Sequence, residues 1–286
     1  MKKLLLVIFM FLCCFPLAGC EIDYPKSALY VGKNQQFSTI QSAIDASSMS
    51  GQFIVVNGGE YKEDLFISKS VTIIGKNNRV KLIGTSTIAC DGVKFESIAF
   101  CGEDSVENGI VFEDLQDTNG LAFVQCSFKG FKNAGIFSNS SNDKPFNISA
   151  LSITECGFVE NGNSAINLNN IKALTIENCT FEMNGKTSND LGSAIILDLI
   201  EGKFSHLIVD SSEFKDNGNN SLRGGAITCS QKNSFDGELL VDDCLFQGNS
   251  NDIVTGFEGV ENSSIGICLI NQRGIKTDIK KLDENN

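Results

Sequence analysis

A chain of 286 residues that is 42% hydrophobic and 20% charged is long enough for one large domain or two small ones. Its 27 glycines and 21 phenylalanines, with no tryptophan, suit strands and turns better than helices. A formal charge of -12 argues against nucleic acid or an anionic lipid surface as partner, and a lone histidine, His206, excludes a multi-histidine metal site.

The first twenty residues read as an export leader. Lys2 and Lys3 precede an apolar run from Leu4 to Leu17, too short for a comfortable membrane span, and small residues then lead to Cys20. Leu17-Ala18-Gly19-Cys20 matches the lipobox of bacterial lipoproteins. That resemblance implies a signal peptide over residues 1–19, cleavage before Cys20, and lipid on its thiol with acyl chains such as palmitate. Two or more acyl chains give stable anchoring. The mature protein is therefore expected in the bacterial cell envelope, on a periplasmic or surface face, touching the membrane without crossing it. Residues 20–28 form the lipidated tether.

Phe37-Ser-Thr-Ile-Gln-Ser-Ala-Ile-Asp-Ala46 spaces its apolar residues at 37, 40, 43 and 44, which predicts one face of a short helix. Strands are predicted at 53–56, 65–67, 71–75 and 80–83, with Asn57-Gly-Gly-Glu60 as a turn. A helix ahead of evenly spaced strands reads as a cap over the first unit of a repeat array.

The array is written most clearly at Leu174-Thr-Ile-Glu-Asn-Cys-Thr-Phe181, whose register returns at 93, 121, 151, 207 and 239. Alternation puts Leu174 and Ile176 inward, two polar residues make a corner, and Cys179 and Phe181 resume the inward face. A further strand recurs at Gly109-Ile110, Gly135-Ile136, Ala165-Ile166, Ala194-Ile195 and Ala226-Ile227. Between them, Phe-x-x-Asn ends at Asn161, Asn184, Asn217 and Asn249, where asparagine suits a left-handed corner and side-chain hydrogen bonds along the stack. The fold class that follows is all-β: a single right-handed parallel β-helix over residues 29–273, with a short N-terminal capping α-helix and a C-terminal cap or tail at 274–286.

The helix segment, Gly59-Glu-Tyr-Lys-Glu63 and Val71-Thr-Ile-Ile-Gly75 resemble the opening of pectin methylesterases and related right-handed parallel β-helix proteins, over residues 30 to 135. Phe-x-x-Asn with Gly224-Gly-Ala-Ile227 is also similar to the repeats of chlamydial polymorphic membrane proteins, which are β-helical adhesins. The first resemblance implies esterolysis by two aspartates, one nucleophile and one acid/base. Carried onto this chain, their places fall at Asn133 and, seven residues past Cys156, at Asn163. An amide can neither attack the ester nor carry the proton, so the enzyme reading is disfavoured.

Cys126, Cys156, Cys179 and Cys244 share one repeat position with Ile98 and Ser212, and read as buried free thiols in a small inward slot. Glu177, Asp210 and Asp242 are expected to stack outward about 4.8 Å apart, either simply solvated or holding calcium. Two long corners bring Lys186, Asp190, Asp216 and Arg223 near one another, either as a binding site or as ordinary variable loop. The sequence thus points to a noncatalytic binding or adhesion module, with an acidic or neutral glycan as partner. The alternative is a divergent calcium-dependent polysaccharide lyase or carbohydrate hydrolase or esterase. Oligomeric state is not legible.

Overall fold

The computed structural model describes residues 24–113, 119–138, 148–169, 171–187, 193–199, 206–218, 225–231, 238–250 and 253–256. Among these residues, three parallel sheets wind around one axis. Sheet I has nine strands, from Leu29–Val31 to Glu238–Asp242; sheet II has eight, from Gly59–Lys62 to Leu245–Gln247; sheet III has eight, from Leu65–Ile67 to Ile253–Gly256. The chain visits I, II and III in turn before returning to I one coil further on, the right-handed parallel β-helix the repeat requires.

Register is strictly one residue for one. Leu151, Leu174 and Leu207 stack in sheet I, as do Ile153, Ile176 and Val209. Sheet II stacks Phe100, Phe128, Phe158, Phe181, Phe214 and Phe246, whose rings lie 4.7–5.0 Å apart and within 6° of parallel. The stacked inward positions make a single continuous core.

The corner between sheets I and II is one left-handed residue. Ser97, Gln125, Glu155, Asn178, Ser211 and Asp243 hold φ between 47° and 58° there. At the corresponding place in an earlier coil stands Gly75, where a Cβ would lie 2.1 Å from the Ser97 carbonyl oxygen; the close approach of the next coil accounts for the glycine.

Three expectations are corrected. Asn57–Glu60 is not wholly a turn, because Gly59–Lys62 pairs with Val80–Ile83 as the first strand of sheet II. The helix, α1, spans Ile40–Ala46, and Phe37 leads into it from an extended bridge to Val31. In Phe-x-x-Asn the left-handed residue is the one before the asparagine: Glu160, Met183 and Asp216, with Gly248. The asparagine turns inward instead. Asn184 donates to Asn217 Oδ1 and to the Phe158 carbonyl, at 3.1 and 3.0 Å, while its own Oδ1 accepts from the Asn161 amide side chain and backbone N–H. Asn161, Asn217 and Asn249 extend this ladder along the stack.

The four repeat-position cysteines stack as the register requires and are buried free thiols. The Cys126 N–H donates to Cys156 Sγ and the Cys156 N–H to Cys179 Sγ, each at 3.4 Å. A hydrogen bond with the Cys156 thiol, then burial, pushes Cys179 up, and burial pushes Cys244 up to about 11. Alkylation of the native protein at pH 8 is therefore expected to leave all four unmodified in a peptide mass map, and labelling of any one at the rate of a free peptide contradicts the burial. A thiol raised on folding stabilises below its unfolded pKa of about 8.5 and loses that contribution as pH climbs toward the folded value. The Cys244 contribution should be lost between about pH 8.5 and 11, where the unfolded thiol ionises and the folded one stays protonated.

Helix α1 plugs the first coil with Ile40, Ala43 and Ile44, and the coil in return caps the helix. Thr39 accepts from the Ser42 N–H, while the Glu63 carboxylate accepts from the N–H groups of Ile40 and Gln41 at 2.8 and 3.0 Å. At the other end Lys69 Nζ donates to the carbonyls of Asp45 and Ser47 at 2.6 and 3.0 Å. Gln41 places its amide against the backbone of Phe66, donating to the carbonyl and accepting from the N–H. Residues 24–28 also fold onto the first coils, with Ala28 buried and Gln52 donating to the Ser27 carbonyl. Glu63→Ala should cost about 1–2 kcal/mol, because two helix-terminal donors lose a charged acceptor. Thermal denaturation reads it, and a melting point within a degree of wild type would refute the cap.

Candidate functional site

Sheet III differs from the other two in what it shows to solvent. Its strands carry no lysine, arginine or histidine, and one acidic position, Asp198. Alternation with the buried Ile88, Ile110, Ile136 and Ile166 turns Thr87, Val111, Phe137 and Asn167 outward, half-buried, in one row across adjacent coils. Phe66 begins the row at 54% exposure, and Ile196 continues it at 6%. This row consists of apolar, hydroxyl and amide groups without charge.

Along one margin of that face runs a second asparagine row. Asn108 begins its strand, and Asn133 and Asn163 immediately precede theirs. Asn133 Nδ2 donates to Asn108 Oδ1, and Asn163 Nδ2 to Asn133 Oδ1, both at 2.8 Å; Thr187 Oγ1 lies 3.5 Å from Asn163 Oδ1. The close winding needed for this contact is visible at Gly162, where a Cβ would lie 2.0 Å from the Lys132 carbonyl oxygen. An amide has two N–H donors and an oxygen with two lone pairs. The row uses one donor and one lone pair of Asn133, so one of each is left over among the described residues. Such a row can donate and accept but cannot ionise.

The basic residues of the other sheets are engaged. In sheet II, Lys62 and Lys81 pair with Glu60 at 3.2 and 3.3 Å, Lys81 also with Glu103 at 2.5 Å, Lys129 with Glu160 at 3.1 Å and Lys215 with Glu182 at 3.2 Å. The Glu103 hydrogen bond, opposed by some desolvation, holds the Lys81 ammonium above its ordinary value. In sheet I, Lys94 pairs with Glu96 at 3.0 Å. These exposed pairs contribute little stability, but they cancel charge locally.

The other residues singled out by sequence fall as follows. Glu177, Asp210 and Asp242 are in register in sheet I, half-buried and outward. Among the described residues no group of three or more His, Cys, Asp or Glu side chains is arranged to hold a metal ion. Lys186 and Asp216 lie at the same corner on neighbouring coils, while Asp190, Arg223 and Cys20 lie outside the described residues. His206 starts its sheet I strand between Ala173 and Glu238 in register. Asn108 was missed because the corner from Phe100 to Asn108 is longer than the corners from Phe128 to Asn133 and Phe158 to Asn163, which hides the repeat. No helix among the described residues is long and apolar enough to cross a membrane.

No family model matches the chain. It is similar to a probable pectinesterase/pectinesterase inhibitor 17 of Arabidopsis thaliana, 31% identical over 127 residues, which is 38% of this chain and 25% of that one. The chain thus spans a quarter of that relative's length. The crystal structure of the pectin methylesterase from Aspergillus niger, in penultimately deglycosylated form, matches with a TM-score of 0.53 over 91% of this chain and 93% of that one, at 15% identity. The same enzyme in deglycosylated form gives 0.48 over 84% and 93%, also at 15% identity. At that identity the likeness is one of fold.

Proposed function

We propose that this chain is a noncatalytic carbohydrate-binding β-helix of the bacterial cell envelope, tethered by lipid on Cys20, whose ligand lies on the outward face of sheet III. The observation that carries the reading is the hydrogen bond between the amides of Asn133 and Asn163, 2.8 Å apart on adjacent coils. These are the two positions where the resemblance to pectin methylesterases would put aspartates. An amide pair offers no nucleophile and no group that ionises for acid/base work, yet it matches the donor-and-acceptor character of sugar hydroxyls. The likeness to a pectinesterase supports a carbohydrate-related role. The leader and Leu17-Ala18-Gly19-Cys20 support the anchor.

The test is binding and turnover measured together on pectins, alginates and neutral glycans, with and without calcium. Saturable binding with no methanol release and no chain cleavage is expected. Turnover above the buffer rate would overturn the noncatalytic reading, and calcium-dependent cleavage lost in Asp210→Asn would favour a lyase using the sheet I carboxylates. For the anchor, metabolic labelling with radioactive palmitate should be abolished by Cys20→Ser.

A further inference from the structure

We propose that the face of sheet III selects an uncharged polysaccharide, laid across successive coils, and discriminates against polyuronates. This rests on the carbohydrate-binding reading and specifies its ligand.

Three observations converge on the sign of the ligand. A polyuronate brings a carboxylate with each sugar, and its desolvation against a protein surface must be offset by cations or clustered donors. The strands of sheet III supply no basic residue. Of the described residues on its margin, Lys132, beside Asn133, faces Glu107 at 3.9 Å, and Lys186 stands at the end of the asparagine row beside Thr187. The lysines of sheets I and II belong to ion pairs on other faces, so recruiting one would leave a glutamate uncompensated. At the far margin Glu113, exposed and directly following the strand Asn108–Phe112, repels a polyanion; a chain charge of -12 adds to that repulsion at long range.

The chemistry of the contacts points the same way. Asn108, Asn133 and Asn163 alternate donor and acceptor along the winding axis. A hydroxyl both gives and receives, so it can satisfy the remaining N–H and the remaining lone pair of an amide. A carboxylate only receives, and beside the spare Oδ1 lone pairs it would set acceptor against acceptor. Phe137 and Val111, half-exposed beside that row, present apolar surface to the C–H face of a pyranose, and Phe66 lies farther along it.

Full-length lipidated protein in detergent micelles would be titrated calorimetrically at low salt with three probes: fully methyl-esterified polygalacturonate, the same polymer after saponification, and a neutral β-glucan. The first and second share one backbone and differ at each carboxyl, a neutral methyl ester in one and a carboxylate in the other. Binding of at least one uncharged polymer is expected, with the saponified polymer at least about tenfold weaker than its ester, and a loss of about tenfold for Asn133→Ala and for Phe137→Ala at unchanged melting temperature. Equal or tighter binding of the saponified polymer would overturn the charge selection while leaving the carbohydrate reading standing. Uncharged binding indifferent to both substitutions would overturn the location on sheet III. Failure to bind any of the three, or any member of the wider glycan panel, would overturn the carbohydrate reading itself.

Discussion

Replacing Phe181 by alanine is expected to destabilise the domain by about 3–5 kcal/mol. Phe181 is buried, and its ring is stacked between Phe158 at 4.9 Å and Phe214 at 4.7 Å, each within 4° of parallel. Truncation removes both ring contacts and opens a cavity that the coils above and below cannot close, because their strands are held in register by ladder hydrogen bonds on three sides. The same change at Phe246, half-buried and with one described stacking partner, should cost about half as much or less. Equilibrium denaturation followed by circular dichroism compares the two. If Phe181→Ala loses less than Phe246→Ala, the continuous ring stack is not what holds sheet II inside the core.

Asn184→Asp should rank with it. The substitution keeps shape and removes the two donors that reach Asn217 Oδ1 and the Phe158 carbonyl, leaving a fully buried carboxylate facing two acceptors. Losing both hydrogen bonds and setting a buried carboxylate against the Phe158 carbonyl and Asn217 Oδ1 costs about 3 kcal/mol or more. Burial and facing acceptors raise the pKa of the introduced acid in the folded state above its unfolded value. The sign follows: the deficit relative to wild type is largest above that raised pKa and shrinks as pH falls, because the protonated acid can donate one hydrogen bond. Measuring wild type and variant side by side from pH 4 to 8 isolates this from the titration of native carboxylates. A deficit that is constant or grows toward acid would show that Asn184 Nδ2 is not the donor that matters.

Much of the winding was legible because three inward positions per copy, as in Leu174, Ile176 and Phe181, recur with equivalent chemistry, and a one-residue slip would turn all of them outward. The interchange of Ile98, Cys126 and Ser212 at one position likewise exposed a small inward slot. What stayed hidden was any contact whose partner depends on coil stacking. Glu63 reaches the N-terminus of α1 across 23 residues, and its motif carried no sign of that role. Glycines at 58 and 59 look like a turn in isolation, but Gly59 starts an edge strand and a Cβ at Gly58 would meet Arg79. The left-handed corner at Met183 is invisible to propensity, since the winding forces it on a residue that does not favour it. Of the candidate site, Asn133 and Asn163 could be picked out, but the uncharged face beside them could not: charge is scattered evenly along the sequence and sorts by sheet only once the coils are stacked.

The pairing of Gln41 with Phe66 bears on self-association. A β-solenoid is a template for its own elongation, since the outermost strand of each sheet offers unmet amide groups in the geometry another copy would need. Here the side chain of Gln41 occupies both groups of Phe66, the midpoint of the first strand of sheet III, and α1 lies across the end of the stack. The neighbouring first strand of sheet II bears Glu60 and Lys62, charges that a dry filament joint would have to bury. Head-to-tail growth at this end is thus opposed by one amide and two charges.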